Sequence, residues 1–352
     1  MGNFVENVTE VNDAINGVVW TKAGLWLLIA TGIIMTCVTG FFQVGHIGHW
    51  MKKTIGSVFS KSAHNKNEQG SVSQFQALCT ALAATIGTGN IAGVAAAITI
   101  GGPGAVFWMW VAAFFGMMTN YSENILGIFF RRKNKSGEWS GGAMYYLQDG
   151  LGAKNHNKFL QVLGRILAVL FSICTILAAF GIGNMGQINK ITLNVQSAFF
   201  SNIEVKPLFG VIPTVPFCIG IFIMIVGALI VIGGLKRIAA VAEKVVPFMA
   251  VLYILGALVI IFFHIGKIGP AFASIFKFAF GAKAVAGGAA GYMFKLAITQ
   301  GCKRGVFSNE AGLGSSVMVH SSSNVREPVR QGMWGIFEVF ADTIIVCRSE
   351  ER

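Results

Sequence analysis

The run Gly87-Thr88-Gly89-Asn90 interrupts a long apolar segment, and its residue types suit the binding of a small polar molecule. Two glycines disfavour a continuous helix, by about 1 kcal/mol each relative to alanine. If the segment spans a membrane, the break frees backbone amides that suit a carboxylate and carbonyls that suit a sodium ion. The residues support equally well the simpler hypothesis that Gly89 and Gly93 form a close helix-packing face.

Two further segments carry small or polar residues that could complete such a site. The run from Ala284 to Gly291 contains alanine, glycine and valine, which predicts a second interrupted helix, although such runs also mark tight packing. Asn184 and Gln187 are three residues apart and would share one helix face. They could line a polar cavity or form hydrogen bonds across helices, and the residues favour neither alternative.

Acidic residues inside the apolar segments are few. Glu123 precedes the arginines at 131–132 by about two helical turns, so we expect it to pair with them near the membrane border. Glu338 and Asp342 fall in the last apolar run, and the sequence assigns a role to neither. No acid lies near Gly87–Asn90. The site predicted there is therefore uncharged and suits a zwitterion.

The sequence contains no residue pattern typical of an enzyme, a cofactor site or a transition-metal site. Its six cysteines form no Cys-x-x-Cys pair, which argues against a disulfide framework or a metal cluster. The formal net charge of +12 does not indicate a nucleic-acid partner, because the basic residues fall in loops between apolar runs. We therefore expect neither catalysis nor nucleic-acid binding.

The composition predicts an all-α polytopic membrane protein with one domain over residues 1–352, in contact with the lipid bilayer. Hydrophobic residues make up 54% of the chain and charged residues 12%, against about 25% charged in soluble proteins. The segments predicted to lie inside carry 17 Lys and Arg and those outside carry 5, which predicts an inner-membrane protein with its N-terminus outside. The apolar runs predict spans near 18–42, 74–100, 104–130, 161–188, 212–233, 245–265 and 284–300, with a partial span at 334–347.

Several long motifs resemble the alanine or glycine:cation symporter family, also called the sodium:alanine symporters. The similarity runs from about Ile15 to Cys347 and is carried by GTGNIAGVA, GGPGAVFWMWVAAFFG, GGAMYYLQDGLG, QGCKRGVFSNEAGLG and RQGMWGIFEVFADTIIVC. This resemblance implies a leucine-transporter-type fold with two inverted five-helix repeats and broken helices. The span at 74–100 would begin the first repeat, and 268–300 would contain the broken first helix of the second.

The resemblance also implies a secondary active symporter that carries alanine or glycine with sodium, or with protons, by alternating access. The cation would bind to backbone oxygens of Thr85, Ile86 and Gly89. The segment FSNEAGLG would shape the inner gate or a loop helix. Carried onto this chain, the family's substrate site would comprise Thr85, Gly87, Thr88, Gly89, Asn90, Gln187, Ala286, Gly287 and Gly288.

The sequence departs from the family pattern after Cys347, where the polar run 348–352 ends the chain. The apolar run 334–347 is too short to span a bilayer unaided. We therefore expect an incomplete second repeat, and a symporter that this truncation leaves active or inactive. The alternative is a membrane protein that binds without transporting, such as a receptor, or a pseudogene product. The sequence separates neither alanine from glycine nor sodium from proton.

Overall fold

The computed structural model describes residues 2–58, 72–87, 89–153, 156–201, 213–280 and 289–347. Strands β1 Arg132–Lys133 and β2 Trp139–Ser140 form a short antiparallel pair. Single π-helical turns cover Val18–Lys22, Gly89–Gly93, Leu147–Leu151, Gly181–Gly186 and Phe340–Val346, and a 3-10 turn covers Ile265–Lys267. The helices are α1 Gly2–Gly17, α2 Gly24–Val38, α3 Phe42–Gly45, α4 Ile47–Lys53, α5 Ile55–Val58, α6 Gln74–Thr85, α7 Val94–Gly101, α8 Gly104–Phe129, α9 Ala143–Tyr146, α10 Lys158–Phe180, α11 Gln187–Phe199, α12 Thr214–Val231, α13 Gly234–Phe263, α14 Ile268–Ala279, α15 Ala289–Asn309, α16 Ser315–His320 and α17 Pro328–Val339.

Among the described residues, four continuous helical stretches are long and apolar enough to cross a membrane: Glu6–Val38, Lys158–Phe199, Thr214–Val231 and Gly234–Phe263. The pair formed by α6 and the stretch Gly89–Gly101 meets the same criteria as one span bent by 52°. Helices α10, α12 and α13 expose many large leucine, isoleucine and phenylalanine side chains. Such surfaces suit hydrocarbon rather than water, because lipid is as apolar as the side chains that contact it.

Helix α8 is the central element and packs against α2, α14, α15, α16 and α17. It begins after the Gly101-Gly102-Pro103 turn, where Gly102 has a φ of +73° and Pro103 presets the backbone for the first helical turn. Its 26 residues span about 39 Å, which is enough to cross a bilayer. The fold is therefore a set of helices arranged around one long buried helix.

Glycines let the neighbouring helices approach the backbone of α8 closely. A Cβ atom at Gly301 of α15 would lie 2.2 Å from the carbonyl oxygen of Ala105, and one at Gly32 of α2 would lie 2.8 Å from that of Phe115. Both positions therefore require glycine, since real Cβ atoms do not approach other atoms so closely. Contacts of this kind bring membrane helices together where no hydrophobic drive exists between them.

Helix α6 is anchored at its start to the segment that follows α16. The Ser73 hydroxyl accepts a hydrogen bond from the amide of Gln76 at 3.1 Å, and the Gln76 side chain accepts one from the amide of Ser73, forming a capping box. Immediately before it, Val72 pairs with Ser323 in a parallel backbone bridge. The Asn324 amide donates to the Val72 carbonyl at 2.8 Å. Two segments about 250 residues apart in sequence are thus joined by backbone hydrogen bonds.

The arginines after α8 do not make the contact that the sequence predicted. Arg131 donates to the carbonyls of Ser321 at 3.0 Å and Ser323 at 2.6 Å, and its guanidinium lies 4.0 Å from the centroid of the Trp139 ring. Arg132 forms an ion pair with Asp149. Carbonyl oxygens compete well for a guanidinium because its five donors cannot all be met by one carboxylate.

Helix α15 continues nine residues beyond the predicted span end at residue 300. The prediction treated Lys303 and Arg304 as a loop. In the structure the Lys303 ammonium lies 5.7 Å from the Trp20 ring centroid and the Arg304 guanidinium 6.0 Å from that of Phe307. Aromatic faces stabilise the two cations within the helix. Two of the basic residues counted as an inner loop therefore belong to a helix.

We expect Gly301→Ala to lower the free energy of unfolding by about 1–3 kcal/mol, because the new methyl group overlaps the backbone of α8. Gly256→Ala is the matched control, since a Cβ atom at Gly256 of α13 has nothing within 4 Å. The measurement is the thermal unfolding midpoint of the purified chain in detergent. Equal midpoints for the two variants would show that the α8–α15 contact does not depend on close approach.

Candidate functional site

The predicted break in the first bent span is present in the structure. Helix α6 ends at Thr85 because Ile86 takes an extended conformation with a ψ of 98°. The Asn90 side-chain oxygen accepts a hydrogen bond from the backbone amide of Gly87 at 2.9 Å. The backbone amide of Asn90 donates to the Gly87 carbonyl at 3.2 Å. A π-helical turn at Gly89–Gly93 then leads into α7. Asn90 thus stabilises the break by pairing backbone groups that the interrupted helix leaves free.

The other end of the Asn90 side chain joins two distant parts of the chain. Its amide nitrogen donates to a carboxylate oxygen of Asp342 at 2.7 Å and to the Ser308 hydroxyl at 2.9 Å. Asn90 and Asp342 are fully buried and Ser308 is nearly so. The break therefore contacts the end of α15 and the π-helical turn that follows α17, and we call Asn90, Ser308 and Asp342 the polar triad.

Asp342 has neutral hydrogen-bond donors on both carboxylate oxygens. Its second oxygen accepts from the Ser308 hydroxyl at 2.7 Å and from the Thr343 hydroxyl at 3.0 Å. The Cys347 sulfur lies 3.3 Å from the Ser308 oxygen. Burying an ionised carboxylate among neutral groups is unfavourable unless a cation or a proton compensates its charge. The polar triad is therefore chemically suited to a cation.

A second interruption lies beside the first, between α15 and α16. Glu310, Gly312 and Gly314 all have positive φ angles, of 52°, 87° and 78°. A Cβ atom at Gly89 would lie 3.6 Å from the Phe307 ring, so the residues just before this interruption contact the first break. The segment FSNEAGLG was predicted to shape an inner gate or a loop helix. In the structure its first residues, Phe307 and Ser308, lie against Gly89 and Asn90.

Glu123 of α8 reaches into this second interruption. Its carboxylate accepts a hydrogen bond from the amide of Gly312 at 3.0 Å, where the sequence led us to expect the arginines at 131–132. Nearby, outside the predicted spans, burial raises the pKa of the Tyr146 phenol, and the negative charge of Glu123 raises it further. A carboxylate that holds a backbone amide in the interruption serves the role that Asn90 serves in the first break.

The remaining predicted site residues take different positions. The Thr85 hydroxyl is buried and has no hydrogen-bond partner in the described part of the chain, and Ile86 beside it is half-buried. A Cβ atom at Gly87 would lie 3.2 Å from the side-chain oxygen of Gln187, so Gln187 faces the break. Asn184 is exposed. The other predicted residues, Thr88, Ala286, Gly287 and Gly288, lie outside the described residues.

Ser308 and Asp342 are site residues that the sequence prediction missed. Asp342 stood out as an acid in an apolar run, yet it lies 252 positions after Asn90, and no local pattern connects the two. Ser308 sits in a motif with an asparagine and two glycines, residue types that favour turns. That composition could have indicated the second interruption. The run from Ala284 to Gly291 contains more glycine, however, and was therefore the stronger candidate for a broken helix.

Long apolar helices, lipid-suited surfaces and polar interruptions buried at their centre define a multi-pass helical membrane protein. A sequence profile for the sodium:alanine symporter family matches residues 5–350. The chain belongs to the sodium:alanine symporter family.

Curated relatives agree with this assignment. The chain is similar to the sodium/alanine symporter AgcS of Methanococcus maripaludis, with 45% identity over 95% of this chain and 68% of that protein. It is 42% identical to an uncharacterized transporter of Haemophilus influenzae, over 97% of this chain and 68% of that protein. A Bacillus subtilis protein named "Probable sodium/glutamine symporter GlnT" is 37% identical over 95% of this chain and 63% of its own length.

We expect Asn90→Asp to destabilise the fold strongly near pH 7, because it sets a second carboxylate about 3 Å from Asp342, where two like charges cannot both stay ionised. Asn194→Asp is the control, since Asn194 is exposed on α11. The measurement is the thermal unfolding midpoint as a function of pH. Acidification protonates one of the paired carboxyls and should raise the midpoint of Asn90→Asp alone; a pH-independent difference would contradict this account.

Proposed function

We propose that this protein is a secondary active symporter that carries a small neutral amino acid, alanine or glycine, together with sodium. The observation that carries the proposal is the buried polar triad at the meeting point of two helix interruptions. Interrupted helices that face each other inside a membrane domain are the recurring binding sites of secondary transporters. Family membership and the name of the AgcS relative support the same substrate and cation.

The substrate site proposed here lies against the first break and comprises Gly87, Gly89, Asn90 and Gln187. The start of the half-helix beyond the break offers amides and a positive dipole end to a carboxylate. The side-chain oxygen of Gln187 and the carbonyls freed by the break suit an ammonium group. The Phe307 ring beside Gly89 limits the available space, which supports a substrate with a short side chain over one as large as glutamine. We also include Thr88 and residues Ala286–Gly288 in the proposed site, by family resemblance.

The cation site proposed here combines backbone oxygens of Thr85, Ile86 and Gly89 with two side chains. The buried Thr85 hydroxyl, which lacks a partner among the described residues, supports a ligand at this point, since buried polar groups are normally paired. The Asp342 carboxylate supplies a negative charge on the far side of Asn90. Hard oxygen ligands of this kind suit sodium better than a transition metal.

The proposed architecture is the leucine-transporter type with inverted repeats. Two features support it: α6 and α7 are separated by one interruption, and α15 and α16 by the other. The helix that follows each broken pair packs on the other pair. Helix α8 follows the first pair and contacts α15 and α16, and α17 follows the second pair and contacts α6. We also propose an inner-membrane location with an outside N-terminus, on the distribution of basic residues, which side-specific labelling of the β1–β2 loop would test.

Purified chain in proteoliposomes should accumulate labelled alanine when sodium is higher outside than inside. Accumulation should stop when choline replaces sodium or when a sodium ionophore removes the gradient, because the gradient drives uphill movement. Excess unlabelled glycine should compete, and excess glutamine should compete less, owing to the limited space beside Gly89. Sodium-dependent binding of alanine without uptake would contradict symport and favour a binding protein.

Thr85→Val should raise the sodium concentration needed for half-maximal alanine binding by about tenfold, because it removes one oxygen ligand while keeping the side-chain volume. Thr99→Val is the control. The Thr99 hydroxyl donates to the Ala95 carbonyl within α7 and is exposed. The measurement is alanine binding at graded sodium concentrations. If both variants respond to sodium as the native chain does, Thr85 is not a cation ligand.

A further inference from the structure

A second buried polar cluster lies apart from the polar triad, between α8, α16 and α17. One oxygen of the Glu338 carboxylate accepts hydrogen bonds from Asn120 at 3.1 Å, Ser316 at 2.7 Å and the Nε2 atom of His320 at 3.0 Å. The other ring nitrogen of His320, Nδ1, lies 2.6 Å from the side-chain nitrogen of Gln331. Glu338, His320, Gln331 and Asn120 are fully buried. We call this set the histidine cluster.

We propose that the His320–Glu338 pair is a proton-binding site whose occupancy changes during the transport cycle. The extra proton comes from the solvent and forms an N–H bond at Nδ1 of His320. The Nε2–H bond to Glu338 is kept throughout. The charge of the pair changes from −1 to zero when the proton binds. That this occupancy is coupled to transport rests on the proposed symport function, whereas proton binding itself does not.

The Gln331 side chain can pair with His320 in both protonation states. With Nδ1 unprotonated, the Gln331 amide nitrogen donates to it, which is the arrangement in the structure. With Nδ1 protonated, rotation of the amide by 180° turns the side-chain oxygen of Gln331 towards it as an acceptor. That oxygen is buried and has no partner among the described residues. The residue that holds the neutral imidazole therefore already carries the acceptor that imidazolium needs.

The two oxygens of Glu338 have opposite surroundings. Oε2 accepts three hydrogen bonds, whereas Oε1 is buried without a partner in the described part of the chain. A full charge with one bare oxygen is unfavourable in a buried site. Proton binding at the adjacent imidazole compensates it.

Other charged groups near Glu338 are mainly acidic. It interacts repulsively with Glu123 of α8, with Glu310 of the second interruption and with Asp342 on its own span. Arg131, at the end of α8, is held by backbone carbonyls just past His320. Several negative charges in one buried region oppose one another, so each favours uptake of a proton by the pair.

Helices α4, α6 and α13 also pack around the histidine cluster. Helix α13 packs Ala242 and Val246 against Trp334 of α17, and the neighbouring Glu243 accepts a hydrogen bond from the Gln76 side chain at 2.6 Å. Helix α6 contacts both α16 and α17 and contains no Asp, Glu, Lys, Arg or His. Helix α4 contacts α17, and its His49, Lys52 and Lys53 are all exposed.

Proton exchange at this cluster requires movement, because its members are buried. Helix α16 has six residues and follows Gly314, which has a φ of +78°. A short helix beside a glycine with positive φ can turn about that glycine. Such a movement would expose His320 in one conformation and bury it in another. Proton occupancy is then tied to the conformation of the second interruption, which is the linkage that coupled transport needs.

The direct test is pH-jump difference infrared spectroscopy on the 352-residue chain in lipid nanodiscs, from about pH 8 to about pH 5.5, a range that includes the ordinary imidazole pKa of about 6.5. The native chain should show imidazole and carboxylate changes that are lost in His320→Gln. They should persist in His264→Gln, the control, because His264 is exposed at the end of α13. Identical spectra for native chain and folded His320→Gln would overturn the proposal.

Gln331→Leu provides a second variant that keeps both members of the pair. It removes a hydrogen bond from both forms of His320, and the one to the charged imidazolium is the stronger, so the midpoint of the His320 titration should move to lower pH by about one unit. An unchanged midpoint would overturn the assigned role of Gln331. Because this variant leaves His320 and Glu338 in place, it tests the proposal even if His320→Gln does not fold.

Alanine uptake at graded pH separates this inference from the proposed function. Uptake by the native chain should change by roughly tenfold over the titration range, and uptake by His320→Gln should not. A native chain that titrates at His320 but takes up no alanine would contradict symport and keep the proton site. Sodium-driven uptake without any titration of His320 would keep symport and overturn the proton site.

Discussion

Hydrocarbon offers no hydrogen bonds to a peptide group, so every amide and carbonyl released inside a membrane domain has to find a partner within the protein. Two helix interruptions in this chain face that constraint together. Asn90 pairs with the Gly87 amide on one side and with Asp342 and Ser308 on the other. Glu123 pairs with the Gly312 amide of the second interruption. The first break is tolerated because the nearby Asn90 pairs its free backbone groups, and the second because a carboxylate of α8 reaches into it.

Close approach of the helices makes this pairing reachable. The side chains of Asn90, Ser308 and Asp342 are short, and they meet only because α15, α17 and the first broken span all pack near α8. Glycines such as Gly301 permit that spacing. The small residues and the buried polar residues therefore belong to one arrangement. Without close backbones, a short side chain would leave the opposite partner unpaired in a medium that cannot replace it.

The sequence predicted the parts of this arrangement that depend on local composition. Glycines and a threonine in an apolar run predicted the break at 87–90, whereas the approach of Gln187 to it was implied by the family resemblance. The partners of Asn90 could not be predicted, since Ser308 and Asp342 follow it by 218 and 252 residues. The interruption between α15 and α16 was not predicted, because the positive φ of Glu310 is not evident from composition. The break predicted at 284–291 lies largely outside the described residues. Glu338 gained partners only through packing of three helices.

The backbone bridge between Val72 and Ser323 connects the outer ends of the two broken elements, since one precedes α6 and the other follows α16. Peptide hydrogen bonds at this end hold the start of α6 to the segment that follows α16. A tilt of α6 about the Gly87 break would therefore be transmitted to α16 through main-chain atoms, whichever side chains lie between the two helices.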